Sequence, residues 1–467
     1  MGIKHPARSQ SSHKPHAFQR DLGAPVLTLL TLGGIMGSGL FLASGLSIHR
    51  AGPISLLFFA VGAVAMYFEI SALAEMSIAA PTPGSFLVRT EQMWGPGFTF
   101  VTGWIFWFSS VLTMSSEVTA ASVFTRFWFP GVPLWGWSLL YSALIIGLNF
   151  LSVRGFGTVE GIMAAVKTLA VFLFLILAAA ITWRLLPPSR PLPRQTWTAF
   201  GAHGWLPHGW LGAAPTLLLV LFAYAGTGVI GLAAAEAKHP TRSIARATRS
   251  TVLIITLLYL GSIFFLLTLL PWTQYGPQVS PFVSALQATG LPGVTSVMNL
   301  VLLFAVLSTM NAALYSNVRV LYRLARDHQA PAILARLNRR GQPSFAIWSS
   351  ALLLTLTILL AYWLPKQAYA YLVTATGFQA MFIWLMVLLT QLRYRPHLER
   401  HQPDRLHYKQ PGFPASTYGV MGLVILAMGF SFLARTELVG VILGIGVILL
   451  VLAVWIIFRR RMIRPRS

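Results

Sequence analysis

Gly33-Gly34-Ile35-Met36-Gly37-Ser38-Gly39-Leu40-Phe41 decides the fold of this chain. Four glycines and a serine interrupt an apolar run, Pro25 to Ile48, that is otherwise long enough to cross a bilayer as a helix. Hydrocarbon offers no water to freed peptide groups. A backbone weakened at that depth persists only where protein, ligand or ion satisfies it. The stretch is therefore a candidate binding site made of exposed peptide dipoles.

The rest of the sequence supplies the membrane. Of 467 residues, 56% are hydrophobic and 10% charged, against about 25% charged in a typical soluble domain. There is no cysteine, so disulfide and thiolate chemistry are excluded, and no His spacing reads as a metal site. Twelve apolar stretches follow one another, near 25–48, 53–80, 98–125, 132–152, 158–183, 211–235, 250–270, 292–322, 344–364, 368–392, 415–434 and 437–458. Each suits one transmembrane helix. With both termini inside, 26 of the 34 Lys and Arg residues fall on inner loops and tails and 7 on outer ones. The positive-inside rule places both termini in the cytoplasm. The net charge of +23 thus reads as a topology signal and not as a nucleic-acid surface.

The predicted organisation is a cytoplasmic basic arm at 1–20, helices 1 to 5 at 21–183 and an extracellular loop at 184–210. Helices 6 to 10 follow at 211–392, then a cytoplasmic loop at 393–413 and helices 11 and 12 with a basic tail at 414–467. The arm lacks the apolar core and cleavage site of a signal peptide.

A second interruption, Ala223-Tyr224-Ala225-Gly226-Thr227-Gly228-Val229, lies in the sixth span. Its Gly226-Thr227-Gly228 answers Gly37-Ser38-Gly39. Five spans separate the two breaks, and an odd number inverts the second copy. The pattern predicts a five-plus-five inverted repeat with discontinuous helices 1 and 6 and a site at the midplane between them. Glycine-rich stretches also serve close helix packing, but two in corresponding positions favour a paired site.

Few ionisable groups enter the spans. Lys167 is the one lysine or arginine well inside, a costly position unless paired or solvated, and it is a candidate proton carrier. Glu117 in the third span faces either a substrate or Lys167. Glu75 precedes a helix stop and reads as structural, while Glu69, near mid-span, has no evident partner. Glu236, leading into a basic loop, is a candidate inner latch. Phe222 and Tyr224 are candidate gating aromatics.

Taken in order, these motifs resemble the amino acid permeases of the amino acid, polyamine and organocation superfamily. The resemblance rests on the Gly-Ile-Met-Gly-Ser-Gly-Leu-Phe run, Pro83-Gly84-Ser85-Phe86, Val153-Arg154-Gly155-Phe156-Gly157, Glu236 through Pro240, and Asn317-Val318-Arg319-Val320-Leu321-Tyr322 with Leu324-Ala325-Arg326-Asp327. It covers the chain from about Asp21 onward. It implies an all-α integral membrane protein with two helices added to the repeat, carrying amino acids by proton-coupled symport and alternating access. It also implies that Gly37, Ser38 and Gly39 hold the substrate carboxylate. The carbonyls of Ile35, Ala223 and Ala225 hold its ammonium, with Gly226, Thr227 and Gly228 completing the second break. Lys167 takes the place of a sodium ion, with Gly34, Ser308 and Thr309 as neighbours.

One departure bears on the substrate. Many members carry a glutamate where this chain has Gly228, which favours a neutral amino acid. Glu117 is then the carboxylate left for a basic side chain in the alternative of cationic transport. Exchange, and an amino acid receptor without flux, are the other readings. No nucleophile, acid–base pair or phosphate loop stands at a spacing that suggests an enzyme, and no cofactor is implied.

Overall fold

The computed structural model describes residues 22–81, 85–150, 153–189, 204–234, 237–338, 341–364, 367–435 and 438–462. The helices, in order, are α1 Ala24–Ile35, α2 Ser44–Ala51, α3 Ser55–Ala79, α4 Ser85–Trp94, α5 Pro96–Thr125, α6 Leu134–Asn149, α7 Val153–Thr182, α8 Gly209–Ala213, α9 Thr216–Ala223, α10 Gly228–Ala233, α11 Pro240–Leu269, α12 Pro281–Thr289, α13 Val294–Arg326, α14 Ser344–Trp363, α15 Ala368–His401, α16 Ala415–Phe430 and α17 Leu438–Met462. A π-helical turn, Gly39–Ala43, leads into α2.

The twelve apolar stretches read from the sequence fall mostly on helix among the described residues. Among the described residues, eight helical stretches are long and apolar enough to cross a bilayer, and four shorter apolar helices, Ala24–Ile35, Leu134–Asn149, Thr216–Gly231 and Ser344–Leu359, accompany them. Breakage explains two of the short ones. α1 stops at the glycine-serine bend, and α9 stops at Ala223 because Gly226 takes φ +101°, outside helical space. The stretch 39–79 is continuous in helical character, yet it is interrupted at Gly52, where φ is +70°.

The long α5 and α13 pack along one another and, with α3, α7, α11 and α15, surround α1 and the second break. The predicted loop at 393–413 begins later than expected, since α15 continues to His401 through Pro396. Leu398 is buried and Arg395 pairs with Glu399 one turn on at 3.2 Å, which holds the extra turns. Beyond them Glu75 of α3 anchors the returning chain. Its carboxylate accepts the Gln410 amide at 2.6 Å and Arg395 at 3.3 Å, the structural role the sequence suggested. Two short amphipathic helices between spans, α4 and α12, lie outside the twelve apolar stretches.

Candidate binding and coupling site

Between α1 and the π-helical turn the chain bends at Met36 and Gly37, and the Ser38 amide, at the start of the next helical turn, has no helical acceptor. Glu117 of α5 supplies one. The Ser38 amide donates to both carboxylate oxygens, at 3.0 and 2.9 Å, and the Ser38 hydroxyl donates at 3.0 Å. A side chain at position 37 would meet Glu117 Oε1 at 2.5 Å, so the glycine makes room for the acid. Donors that the resemblance gives to a substrate carboxylate are here engaged by a carboxylate of the protein itself. Tyr369 of α15 completes the turn, its hydroxyl donating to Ser38 O at 2.8 Å.

On the opposite side of the break, Lys167 of α7 is buried, 1% exposed. Its ammonium donates to Gly33 O at 2.6 Å, Met36 O at 3.0 Å and the Thr309 hydroxyl at 3.1 Å. Thr309 itself stands 3.2 and 2.9 Å from the same two carbonyls. The expected neighbours Gly34 and Ser308 are placed differently. Gly33 and Met36 share a helix face at a spacing of three, and successive helical residues diverge by about 100°. Gly34 therefore turns to the second break, and Ser308 turns to Glu160.

Glu160 was not singled out in the sequence. It is 1% exposed, accepts the Ser308 hydroxyl at 2.6 Å and lies 3.4 Å from Asn311 Nδ2. Asn149 of α6 in turn donates to Asn311 Oδ1 at 2.8 Å. The available signal was spacing: Glu160 precedes Lys167 by seven residues, two turns along one face of an apolar helix.

The two breaks meet at backbone distance. A Cβ at Gly39 would come within 2.6 Å of Ala223 Cα, and one at Gly226 within 2.3 Å of Gly34 O. The Tyr259 hydroxyl of α11 bridges them, 3.2 Å from Ile35 O and 3.0 Å from Ala223 O. It too was missed, because a single tyrosine in an aromatic-rich apolar helix carries no positional signal.

A cavity of about 110 Å³ opens beside this junction. It is bordered by Gly34, Ile35, Gly37 and Gly39 of the first break, by Ala225 through Gly228 of the second, and by Glu117 and Thr309. Ser38 and Ala223 stand behind that lining. Phe222 borders the cavity. Tyr224 packs against Tyr259 with ring centroids 4.9 Å apart and donates to Phe59 O at 2.8 Å. Glu236 lies outside the described residues.

The family model for amino acid permeases matches residues 26–465. An uncharacterized amino acid permease, YtnA, of Bacillus subtilis (strain 168) is 34% identical over 94% of this chain and 94% of its own length. A gamma-aminobutyric acid permease of the same organism is 32% identical over 96% of each. Among solved structures, the Eremococcus coleocola manganese transporter in complex with an aromatic bis-isothiourea substituted compound aligns over 94% of this chain and 95% of its own with a TM-score of 0.57. At 12% identity that likeness is one of fold alone.

Proposed function

From the premise that this chain belongs to the amino acid permease family, we propose that it is a proton-coupled symporter taking up a neutral amino acid by alternating access. The observation that carries the coupling is the Lys167 ammonium on the Gly33 and Met36 carbonyls. A cation there ties the first break to α7 and α13 through Thr309. Loss of its proton removes that tie, so protonation is linked to the conformation of the broken helix. A metal cation would have to share the same carbonyls with an ammonium, which disfavours sodium coupling.

In this reading the breaks belong to a five-plus-five inverted repeat of twelve spans with both termini cytoplasmic, and the domains run as the sequence divides them except that helix 10 continues to His401. The substrate carboxylate takes the Ser38 and Gly39 donors beside Gly37 in competition with Glu117, at the positive end of a half-helix. Carbonyls of Ile35, Ala223 and Ala225 receive its ammonium, Gly226 through Gly228 shape the pocket, and Phe222 closes over it. Tyr224 braces the second break, and Glu236 acts at the inner end.

Purified protein in sodium-free proteoliposomes, screened with all common amino acids under an inward pH gradient, tests the reading. Accumulation of a neutral amino acid that collapses with a protonophore is expected. Uptake that strictly requires sodium overturns it.

A further inference from the structure

Two carboxylates act on the Lys167 ammonium, Glu160 the more strongly and Glu117 after it. They stand on different sides of the lysine. Glu117 borders the cavity and is engaged by the Ser38 amide and hydroxyl. Glu160 is 1% exposed and, among the described residues, is not part of the cavity wall. The substrate path described above leaves it without work.

The lysine's own neighbours set its position. A Cβ at Gly33 would meet Glu160 Oε1 at 2.8 Å, and the carbonyl of that same residue takes the ammonium at 2.6 Å. On α13, Ser308 donates to Glu160 at 2.6 Å, while the next residue, Thr309, receives Lys167 at 3.1 Å. Long side chains on a helix lean toward its N-terminus, so Lys167 reaches back along α7 toward Glu160, about two turns earlier. Yet all three acceptors of the ammonium are neutral. A fixed counter-ion gains most from direct charge-assisted bonds; Glu160 instead stands one neighbour away, on donors of its own. Of the elements packed on α7, neither α1, α11 nor α13 brings a further charge to it, and Lys167 is the one charge acting on Glu160 among the described residues.

The first break governs the gap between the two. Two of the three acceptors of Lys167 are its carbonyls. When the break moves in alternating access, the ammonium keeps Thr309 alone, and a buried cation so poorly met is costly. The acid set against Gly33 and Ser308 is then at hand. One proton passing from Lys167 Nζ to a Glu160 carboxylate oxygen breaks an N–H bond, forms an O–H bond and leaves an amine and a carboxylic acid, neither charged. Beyond Glu160, polar groups continue away from the cavity. Asn311 Nδ2 lies 3.4 Å from Oε2, and Asn149, half-buried at the end of α6, donates to Asn311 Oδ1 at 2.8 Å.

We propose that Glu160 receives the Lys167 proton when the first break withdraws its carbonyls, so that the proton leaves toward Asn311 and the end of α6 by a way separate from the substrate cavity. The inference rests on the proton-coupled reading above and adds the group that accepts the proton and the direction in which it departs.

The test uses full-length protein in sodium-free proteoliposomes, with a radiolabelled mixture of the common amino acids as probe, for wild type, Glu160→Gln and Glu160→Asp. Accumulation under an inward pH gradient, acidification of the lumen and counterflow are read across a range of external pH. Wild type accumulates and acidifies. In Glu160→Gln both fall at least about tenfold at every pH, the scale of losing one positioned proton acceptor. Counterflow, which exchanges the loaded carrier without proton release, stays within about threefold of wild type. Glu160→Asp, with the acid restored one methylene short, recovers part of the accumulation. A full maximal rate displaced to another pH in Glu160→Gln overturns the inference and makes Glu160 a fixed counter-ion of Lys167. So does a proportional loss of counterflow and accumulation in both variants, the mark of a structural acid. Should Glu160→Gln not fold, the same comparison in Glu160→Asp decides. Unchanged acidification in Glu160→Gln overturns the inference and leaves proton coupling standing. A wild type that accumulates nothing without sodium defeats the coupling reading and the inference with it.

Discussion

Ser38 donates its backbone amide to both carboxylate oxygens of Glu117, at 3.0 and 2.9 Å, with the Ser38 hydroxyl adding a third bond. An acid seventy-nine positions away in sequence therefore sits on the donors of the first break. If the substrate carboxylate uses those donors, it binds by displacing Glu117.

Neutralising that competitor strengthens binding. Glu117→Gln keeps an acceptor for Ser38 but without the charge-assisted bond, and apparent affinity for the transported amino acid is expected to rise about three- to tenfold, roughly 1 kcal/mol. Equilibrium binding to detergent-solubilised protein measures this. A loss of binding makes Glu117 part of the receptor for substrate and removes the competition.

Lys167→Ala separates coupling from recognition. Thr309 remains within reach of the Gly33 and Met36 carbonyls, so the break keeps one donor. Accumulation driven by a pH gradient should vanish, while counterflow persists with an affinity change under about threefold. Equal loss of both marks the lysine as structural.

Two glycines of the second break make a matched pair. Alanine at Gly226 would place Cβ 2.3 Å from Gly34 O at φ +101°, adding backbone strain of about 1–3 kcal/mol to the clash. Alanine at Gly228 meets Phe106 at an ordinary 3.7 Å. Gly226→Ala is expected to abolish binding and lower the melting temperature, with Gly228→Ala close to wild type in both. Equal behaviour of the two variants contradicts the close approach of the breaks.

Glu75 governs stability rather than transport. Its carboxylate accepts the Gln410 amide and pairs with Arg395 away from the cavity, and breaking a buried pair of this kind costs roughly 3 kcal/mol. Glu75→Ala should unfold at lower temperature in detergent with unchanged substrate affinity. A selective loss of affinity would tie this anchor to the site.

Much of this was legible in the sequence because hydrocarbon is a stringent solvent. Apolar length marked the long helices but not the short α4 and α12, and the glycines of Gly37-Ser38-Gly39 and Gly226-Thr227-Gly228 marked the breaks, since glycine at such depth weakens a helix that has no water to fall back on. Lys167 stood out as the one cation well inside a span, and Thr309 beside it came from the family resemblance. The helix-face phase was not legible: Gly33 and Met36, rather than Gly34, meet the lysine, and Ser308 serves Glu160. Residues that act across the bundle, Tyr259, Tyr369 and the contact of Glu117 with Ser38, depend on tertiary register that a single sequence does not encode locally.

The central claim, that an amino acid enters with a proton through the broken helices tied by Lys167, is tested most directly by recording pH inside sodium-free proteoliposomes as the transported amino acid is added outside. The account predicts acidification of the lumen that tracks uptake in wild type and is absent in Lys167→Ala. Uptake in wild type without acidification, or acidification retained in Lys167→Ala, would contradict it.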